Sequence, residues 1–469
     1  MAMVDVGQIL DEGRWSGYQK LLIFGTALTI ILDGIDNQLL SFSIPYMTTD
    51  SSIAKSLAFA DVQFVGPIGM LFGGLLGGML GDRIGRRSAL LLSVIVFSAL
   101  TLAVSTVDGT AMLAVFRFLS GLGLGGAMPN AAALSSEFVP KGRRAFAVTL
   151  TIICIPLGGF VAGYLSRKIS PDYGWRTLFM LGGMIPMILA LVLFKILPES
   201  PRYLAGRPER WPELIRLLRK LGHNLPSDVA FAESESAVPG KSKASIRDLF
   251  VRAFRLDTLG LFGAFFFCLM ANYIGILWLP TMLTREGFAL PYPGDALTNW
   301  NLGGVGGALL GAFLIQRLGS RITMLGMSAL AIICALVLAA WRIDPLSTVG
   351  LMIIMVLLGG LMNGVQTTMY ALAANVYPTL IRGTGIGTAV AVGRIGNAMA
   401  SYVGDFAIDR GTSAYFGSFA IAMALTLCSL ALIRRHIERT PNRKDMHSGG
   451  SNKGDSRQSR IEEIETIPR

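Results

Sequence analysis

Twelve apolar runs, six on each side of one long hydrophilic stretch, constrain this 469-residue chain more than any other feature. The first six span 21–43, 60–81, 88–106, 110–133, 146–166 and 176–197. The second six span 257–283, 298–317, 322–341, 347–372, 384–405 and 413–434. Each is close to the roughly 20 residues a helix needs to cross a bilayer. The expected fold is an all-α membrane protein with twelve transmembrane helices in two six-helix halves. Its expected parts are a cytoplasmic N-terminus (1–20), a first half (21–197), a cytoplasmic linker (198–256), a second half (257–434) and a cytoplasmic, disordered tail (435–469).

Composition excludes a soluble globular protein, because 52% of residues are hydrophobic, only 15% are charged and the mean hydropathy is +0.56. The net charge of +11 does not signal nucleic acid, since the basic residues sit in short clusters between apolar runs. One set of loops carries Arg83, Arg86, Arg87, Lys141, Arg143 and Arg144, followed by a basic linker that includes Arg202, Arg207, Arg210, Lys241 and Lys243. The opposite set is sparser, with Lys55, Arg167, Lys168, Arg285, Arg342 and Arg410. That asymmetry places both termini and the linker in the cytoplasm. The four cysteines are scattered through apolar runs, so neither a disulfide framework nor a metal site is expected. No cleavable signal peptide is visible, and the first helix is expected to be retained. Catalytic triads, zinc spacings and phosphate loops are absent from the sequence, so no enzyme is expected.

The first run contains two acids, in Asp33-Gly34-Ile35-Asp36. A carboxylate at membrane depth is costly and demands a reason. A separation of three puts both acids on one helix face, where each raises the other's proton affinity. Facing a wet cavity, such a pair can load and release protons. Arg117, about 10 Å inside the outer end of the fourth run, sits at a depth similar to Asp36. It is expected to pair with Asp36 or Asp33, the alternative being a side chain that snorkels to the outer headgroups. Arg394 falls near the midplane of the eleventh run and needs an anion. The cargo's carboxylate is one candidate, suited to a bidentate grip, and a structural pair with Asp405 is the other. Asn272, Tyr273 and Trp278 in the seventh run, with Gln366 and Tyr370 in the tenth, are candidates to line a pocket for a flat ring.

The halves echo each other. Glu137-Phe138-Val139-Pro140 with Arg144 returns as Asn375-Val376-Tyr377-Pro378 with Arg382, and Asp82-Arg83-Ile84-Gly85-Arg86 returns as Gln316-Arg317-Leu318-Gly319-Ser320. Gly78-Met79-Leu80-Gly81-Asp82-Arg83-Ile84-Gly85-Arg86-Arg87 resembles the loop two-three signature of the major facilitator superfamily. The resemblance narrows with Asp33-Gly34-Ile35-Asp36, with Arg117 followed by Gly121, Gly123, Gly125 and Gly126, and with Arg382-Gly383-Thr384-Gly385 before Gly393-Arg394. Together these are similar to the aromatic acid:proton symporter family, with departures at Gln316 and Thr388. The resemblance implies the major facilitator fold and uptake of a benzoate-type acid with protons across a bacterial inner membrane. It carries over Asp33, Asp36, Arg117 and Glu137 as proton-coupling residues, and Asp82, Arg83, Arg86 and Arg382 as gate residues. Asp82 is expected to meet a helix N-terminus across the bundle when the cytoplasmic gate is shut.

The expected protein is therefore a monomeric secondary transporter that imports a small aromatic carboxylate with protons. It uses no cofactor, only the proton gradient, and its partners are cargo, protons and the bilayer. An antiporter exporting an organic anion or drug, and a non-transporting membrane sensor of aromatic acids, are the competing readings.

Overall fold

The computed structural model describes residues 3–12, 16–48, 59–140, 144–223, 226, 230–232, 246–345 and 348–439. The expected disorder of the tail beyond 439 lies outside the described residues, as do Lys55, Lys141, Arg143, Lys241 and Lys243. A short strand β1 (Met3–Asp5) and helix α1 (Val6–Glu12) precede the first long helix, α2 (Gly17–Met47). This helix begins ahead of its apolar run because Ser16 and Gln19 cap each other. The Gln19 N–H donates to Ser16 Oγ (3.2 Å) and the Ser16 N–H donates to Gln19 Oε1 (2.8 Å).

Helices α3 (Phe59–Ile84), α4 (Arg86–Val104), α5 (Thr110–Glu137) and α6 (Arg144–Ile196) complete the first half. The fifth and sixth runs form one element, α6, interrupted only at Gly174, where φ is 76°. Helix persists through 167–173, where the sequence suggested a loop. Helices α7 (Pro201–Ala205) and α8 (Trp211–Lys220) follow, with strand β2 (Ala230–Ala232) pairing parallel to β1. Leu10 of α1, Leu204 of α7, Leu214 and Leu218 of α8 and Phe231 of β2 share one apolar cluster with Leu22 and Phe138 of the first half. The second half comprises α9 (Arg255–Arg285), α10 (Tyr292–Leu318), α11 (Ser320–Ala340), α12 (Thr348–Val376), α13 (Thr379–Ile408) and α14 (Thr412–Leu432).

Nine described helices are long and apolar enough to cross a membrane. Division of α6 at Gly174, together with the more polar α10 and α13, brings the spanning segments to twelve. Phe24, Leu76, Leu191, Leu309 and Ile421 stand exposed on outward faces, as lipid contact requires and water would not favour.

The sequence echo becomes a structural repeat. Gly85 (φ 102°) joins α3 to α4 and Gly319 (φ 81°) joins α10 to α11, each as a one-residue turn in a backbone region that side chains disfavour. A Cβ on Gly73 would strike the Leu122 backbone of α5, and one on Gly307 would strike the Gly360 backbone of α12. Small residues thus bring α3 against α5 and α10 against α12 in the same way. In each half the chain leaving the sixth helix is strapped to that one-residue turn. Glu199 accepts from the Arg87 N–H (2.9 Å) in the first half, whereas Ser320 N–H donates to the Ile437 carbonyl (2.9 Å) in the second. Glu199 is buried and offers its negative charge to the N-terminus of α4.

Candidate functional site

The two acids of α2 stand one turn apart and meet different partners. Asp36 is fully buried; it accepts a hydrogen bond from Thr101 of α4 and an ion pair from Arg117 Nη1 of α5 at 3.4 Å. Arg117 is 5% exposed, so it belongs to the interior and does not snorkel. Asp36 and Arg117 therefore tie three helices of the first half together.

Asp33, on the same side of α2, lies within electrostatic reach of the opposite half. Its strongest charged neighbour is Arg394 of α13, and Asp36 acts on it more weakly. Arg394 also lies within electrostatic reach of Tyr273 of α9 and of Tyr370, and points Nη1 at Met70 Sδ of α3 (3.4 Å). The Tyr273 hydroxyl in turn accepts from Asn37 Nδ2 of α2 (3.1 Å). Asp33 and Asn37, one turn apart on α2, thus both act on the opposite half, Asp33 on Arg394 through charge and Asn37 on Tyr273 through a hydrogen bond. One step further, Gln38 and Asn301 of α10 exchange two amide hydrogen bonds (2.9 and 2.7 Å) across the same interface.

Asp405 is eleven residues beyond Arg394, about 16 Å along α13. It lines an outer cavity of about 520 Å³ together with Asp61, Arg285 and Tyr402. Arg394 therefore does not pair with Asp405, and the carboxylate that acts on it electrostatically is Asp33. Trp278 also lines this outer cavity, donating its indole N–H to the Ser401 carbonyl (3.0 Å). Asn272 and Gln366 are joined, Nδ2 to Oε1, at 2.5 Å. Asn272 is held further by Asn363 (3.2 Å) and by the Trp300 indole N–H (3.3 Å), so it orients Gln366. Tyr370 packs edge-on against Phe265 with centroids 5.3 Å apart.

The gate residues do not meet across the bundle. Asp82 is two-thirds exposed and pairs with Arg86 on its own half (2.5 Å). The Arg83 carbonyl accepts from the Tyr203 hydroxyl (3.0 Å) and Arg207 Nη2 (2.7 Å). Arg382 donates to the Tyr377 carbonyl (3.3 Å) on the other half. Glu137 accepts from the Ser200 hydroxyl at the root of the linker. At the outer level, by contrast, Gln63 Nε2 of α3 donates to the Leu277 carbonyl of α9 (3.1 Å), and the Tyr402 hydroxyl of α13 donates to Asp61 (2.8 Å). The halves are stitched on the outer side.

Sequence reasoning missed Thr101, Asn37, Gln38, Asn301, Asn363 and Glu199. The buried amides had a usable signal: Gln38, Asn301 and Asn363 all interrupt runs that are otherwise apolar or small. Thr101 had none, because a threonine in a membrane helix ordinarily bonds its own backbone.

Several relatives share nearly the whole chain. A gallate transporter of Pseudomonas putida is 30% identical, covering 92% of this chain and 97% of its own. A 4-hydroxybenzoate transporter, PcaK, of Pseudomonas aeruginosa is 32% identical over 92% and 95%. A benzoate transport protein of Acinetobacter baylyi is 29% identical over 84% of each. Among solved structures, the xylose transporter XylE of Escherichia coli, in a partially occluded inward-open conformation, superposes with a TM-score of 0.69. It is 16% identical, covering 90% of this chain and 99% of that one. The family model described as Major Facilitator Superfamily matches residues 26–401 and 294–457. A chain of twelve spanning segments in two echoing halves, matched by that model over most of its length, belongs to the Major Facilitator Superfamily.

Proposed function

We propose that this transporter imports an aromatic carboxylate together with a proton, and that Asp33 and the cargo compete for Arg394. The observation that carries the reading is that Arg394, on one half, is the charge acting most strongly on Asp33 of the other. A guanidinium cannot give up its proton within a protein, while a carboxylate can take one up and release it. With the site open outward, a proton on Asp33 cancels its charge and releases Arg394. The cargo's carboxylate then takes the guanidinium, in the planar two-point grip that arginine favours. Tyr273 and Tyr370 offer flat faces beside it for a ring.

Both exchanges leave the interface without net charge, so the halves can close over it at little desolvation cost and rock about the site. Inside, departure of the cargo leaves Arg394 bare. Asp33 reclaims it and loses its proton to the cytoplasm. One proton carried with one monoanion is electroneutral, so accumulation follows the pH gradient at about tenfold per pH unit. Each further proton would add about 2.3 kcal/mol per 100 mV. Asp36 and Arg117 hold α2, α4 and α5 as one body during this motion, and Glu137 anchors the linker beneath it.

The sparse outer and dense inner basic loops support a multi-pass protein of the bacterial inner membrane with both termini cytoplasmic. It works as a monomer, on the proton gradient alone. The cargo class is supported by the gallate, 4-hydroxybenzoate and benzoate relatives.

Uptake of labelled 4-hydroxybenzoate into proteoliposomes under an imposed pH gradient, acidic outside, tests the reading. Wild-type protein should concentrate the acid, whereas Asp33→Asn should equilibrate it by counterflow without concentrating it. Uphill uptake by Asp33→Asn at the wild-type rate would remove Asp33 from the mechanism.

A further inference from the structure

The stretch of α13 outward of Arg394 carries polar groups that this charge exchange does not use. Asn397, Ser401 and Asp405 follow Arg394 at steps of three, four and four, so all four share one side of the helix. Asp405 lines the outer cavity, and Ser401 and Asn397 lie between it and Arg394 along the helix. Asn397 and Ser401 are both fully buried. Among the described residues, neither the amide nitrogen nor the carbonyl oxygen of Asn397 has a hydrogen-bond partner, and neither does Ser401 Oγ. Buried amides are nearly always paired, so one unpaired at both ends calls for a ligand that offers a donor and an acceptor together.

Aromatic residues of α9 flank the same spot. Gly393 and Gly396 pack against the backbone of Phe265 and Phe266, and Gly404 packs against the Trp278 indole. That close approach sets Tyr273 beside Arg394 and Trp278 near Ser401. Asn397 lies between the two rings in height, about 4.5 Å along the axis from Arg394. That rise, added to the reach of the two side chains, is on the scale of a benzene ring from its carboxylate to a meta or para substituent.

We propose that Asn397 reads a ring hydroxyl of the cargo. The inference rests on the transport reading above and narrows its cargo to hydroxylated benzoic acids. With the carboxylate on Arg394 and the ring lying outward along α13, the hydroxyl donates to Asn397 Oδ1 and accepts from Nδ2. Separation of the outer ends of the halves, now joined through Gln63 and Tyr402, uncovers this stripe for loading. An acid without the hydroxyl leaves the amide unpaired and is disfavoured, as happens in sites built to bond a substrate hydroxyl.

The test compares uptake kinetics of benzoate, 3-hydroxybenzoate and 4-hydroxybenzoate in proteoliposomes of wild type, Asn397→Leu and Asn397→Ser. Wild type should favour at least one hydroxybenzoate over benzoate by about tenfold in kcat/KM, the value of one good hydrogen bond. Asn397→Leu should bring the three acids within about twofold of one another, and Asn397→Ser, which retains a donor and an acceptor, should keep part of the preference. Equal loss of all three acids in both variants, or no preference in wild type, overturns the proposal. Failure of wild type to concentrate any of the three overturns the transport reading itself, and is seen before any variant is compared.

Discussion

Asp36 and Arg117 offer a quantitative test, because both are buried and the pair is isolated from solvent. At 3.4 Å, two unit charges attract by about 5 kcal/mol at an effective dielectric constant near 20. Arg117→Gln leaves Asp36 fully buried with only the Thr101 hydroxyl to support its charge. Its alternative is to take a proton, which at pH 7 costs about 4 kcal/mol for a carboxyl of ordinary acidity. Asp36→Asn strands a guanidinium that cannot deprotonate. Each single substitution should therefore cost about 3–5 kcal/mol. The double variant, Asp36→Asn with Arg117→Gln, strands no charge and should be more stable than either single one. Equilibrium unfolding of the four proteins in mixed micelles gives the cycle, with an expected coupling of about 3 kcal/mol. Additivity within about 0.5 kcal/mol would refute the reasoning, since it would mean the two charges are already solvated apart.

Three further outcomes follow from the geometry. Arg394→Lys keeps the charge but loses the two-point grip, so the KM for cargo should rise about tenfold or more while counterflow persists; an unchanged KM would take Arg394 out of the binding site. Gly85→Ala forces a side chain into φ 102° and against the Glu199 carboxylate, so the melting temperature should fall by the equivalent of about 1–3 kcal/mol, and an unchanged melting point would contradict the turn's role. His436 sits in the strap after α14, its Nδ1 3.1 Å from Ser320 Oγ, where burial and then Arg321 push its pKa below the usual histidine range despite Asp257. A released strap therefore binds a proton more readily than the docked one, so docking is favoured above the ordinary histidine pKa and weakens as pH falls through it. Hydrogen exchange at 433–439, corrected for intrinsic rates, should be faster near pH 5.5 than near pH 7.5. Equal protection at both, or the same pH dependence in His436→Gln, would rule the switch out.

What the sequence disclosed tracks what is expensive. An acid or an arginine inside an apolar run needs a partner, so Asp33, Asp36, Arg117 and Arg394 announced themselves, and depth along the helices was enough to suggest Arg117 with Asp36 or Asp33, though not which. The partner of Arg394 was not legible, because it depends on how one half docks on the other. Asp405, on the same helix as Arg394, was an available acid in sequence, yet it stands about 16 Å away at the outer mouth. Trp278 was chosen as a ring-lining residue by type alone, and its position on α9 carries it to that mouth as well. The echo of Ile84-Gly85-Arg86 in Leu318-Gly319-Ser320 showed that the halves repeat; that both glycines make one-residue turns, each strapped by the chain leaving the sixth helix, needed the structure. Asp82 was expected to reach across the bundle. With the halves joined on the outer side, it rests instead against Arg86 one turn away.

If Asp33 and the cargo trade places on Arg394, then cargo entry and proton entry are one event, and a pH dye trapped in the vesicle lumen reads it directly. With no starting gradient, 4-hydroxybenzoate added outside should acidify the lumen of wild-type proteoliposomes at the rate of its own uptake. Asp33→Asn and protein-free vesicles should show only the slow background of passive permeation. Cargo entering through the wild-type protein with no acidification, or with the lumen turning alkaline, would contradict the exchange on which this account stands.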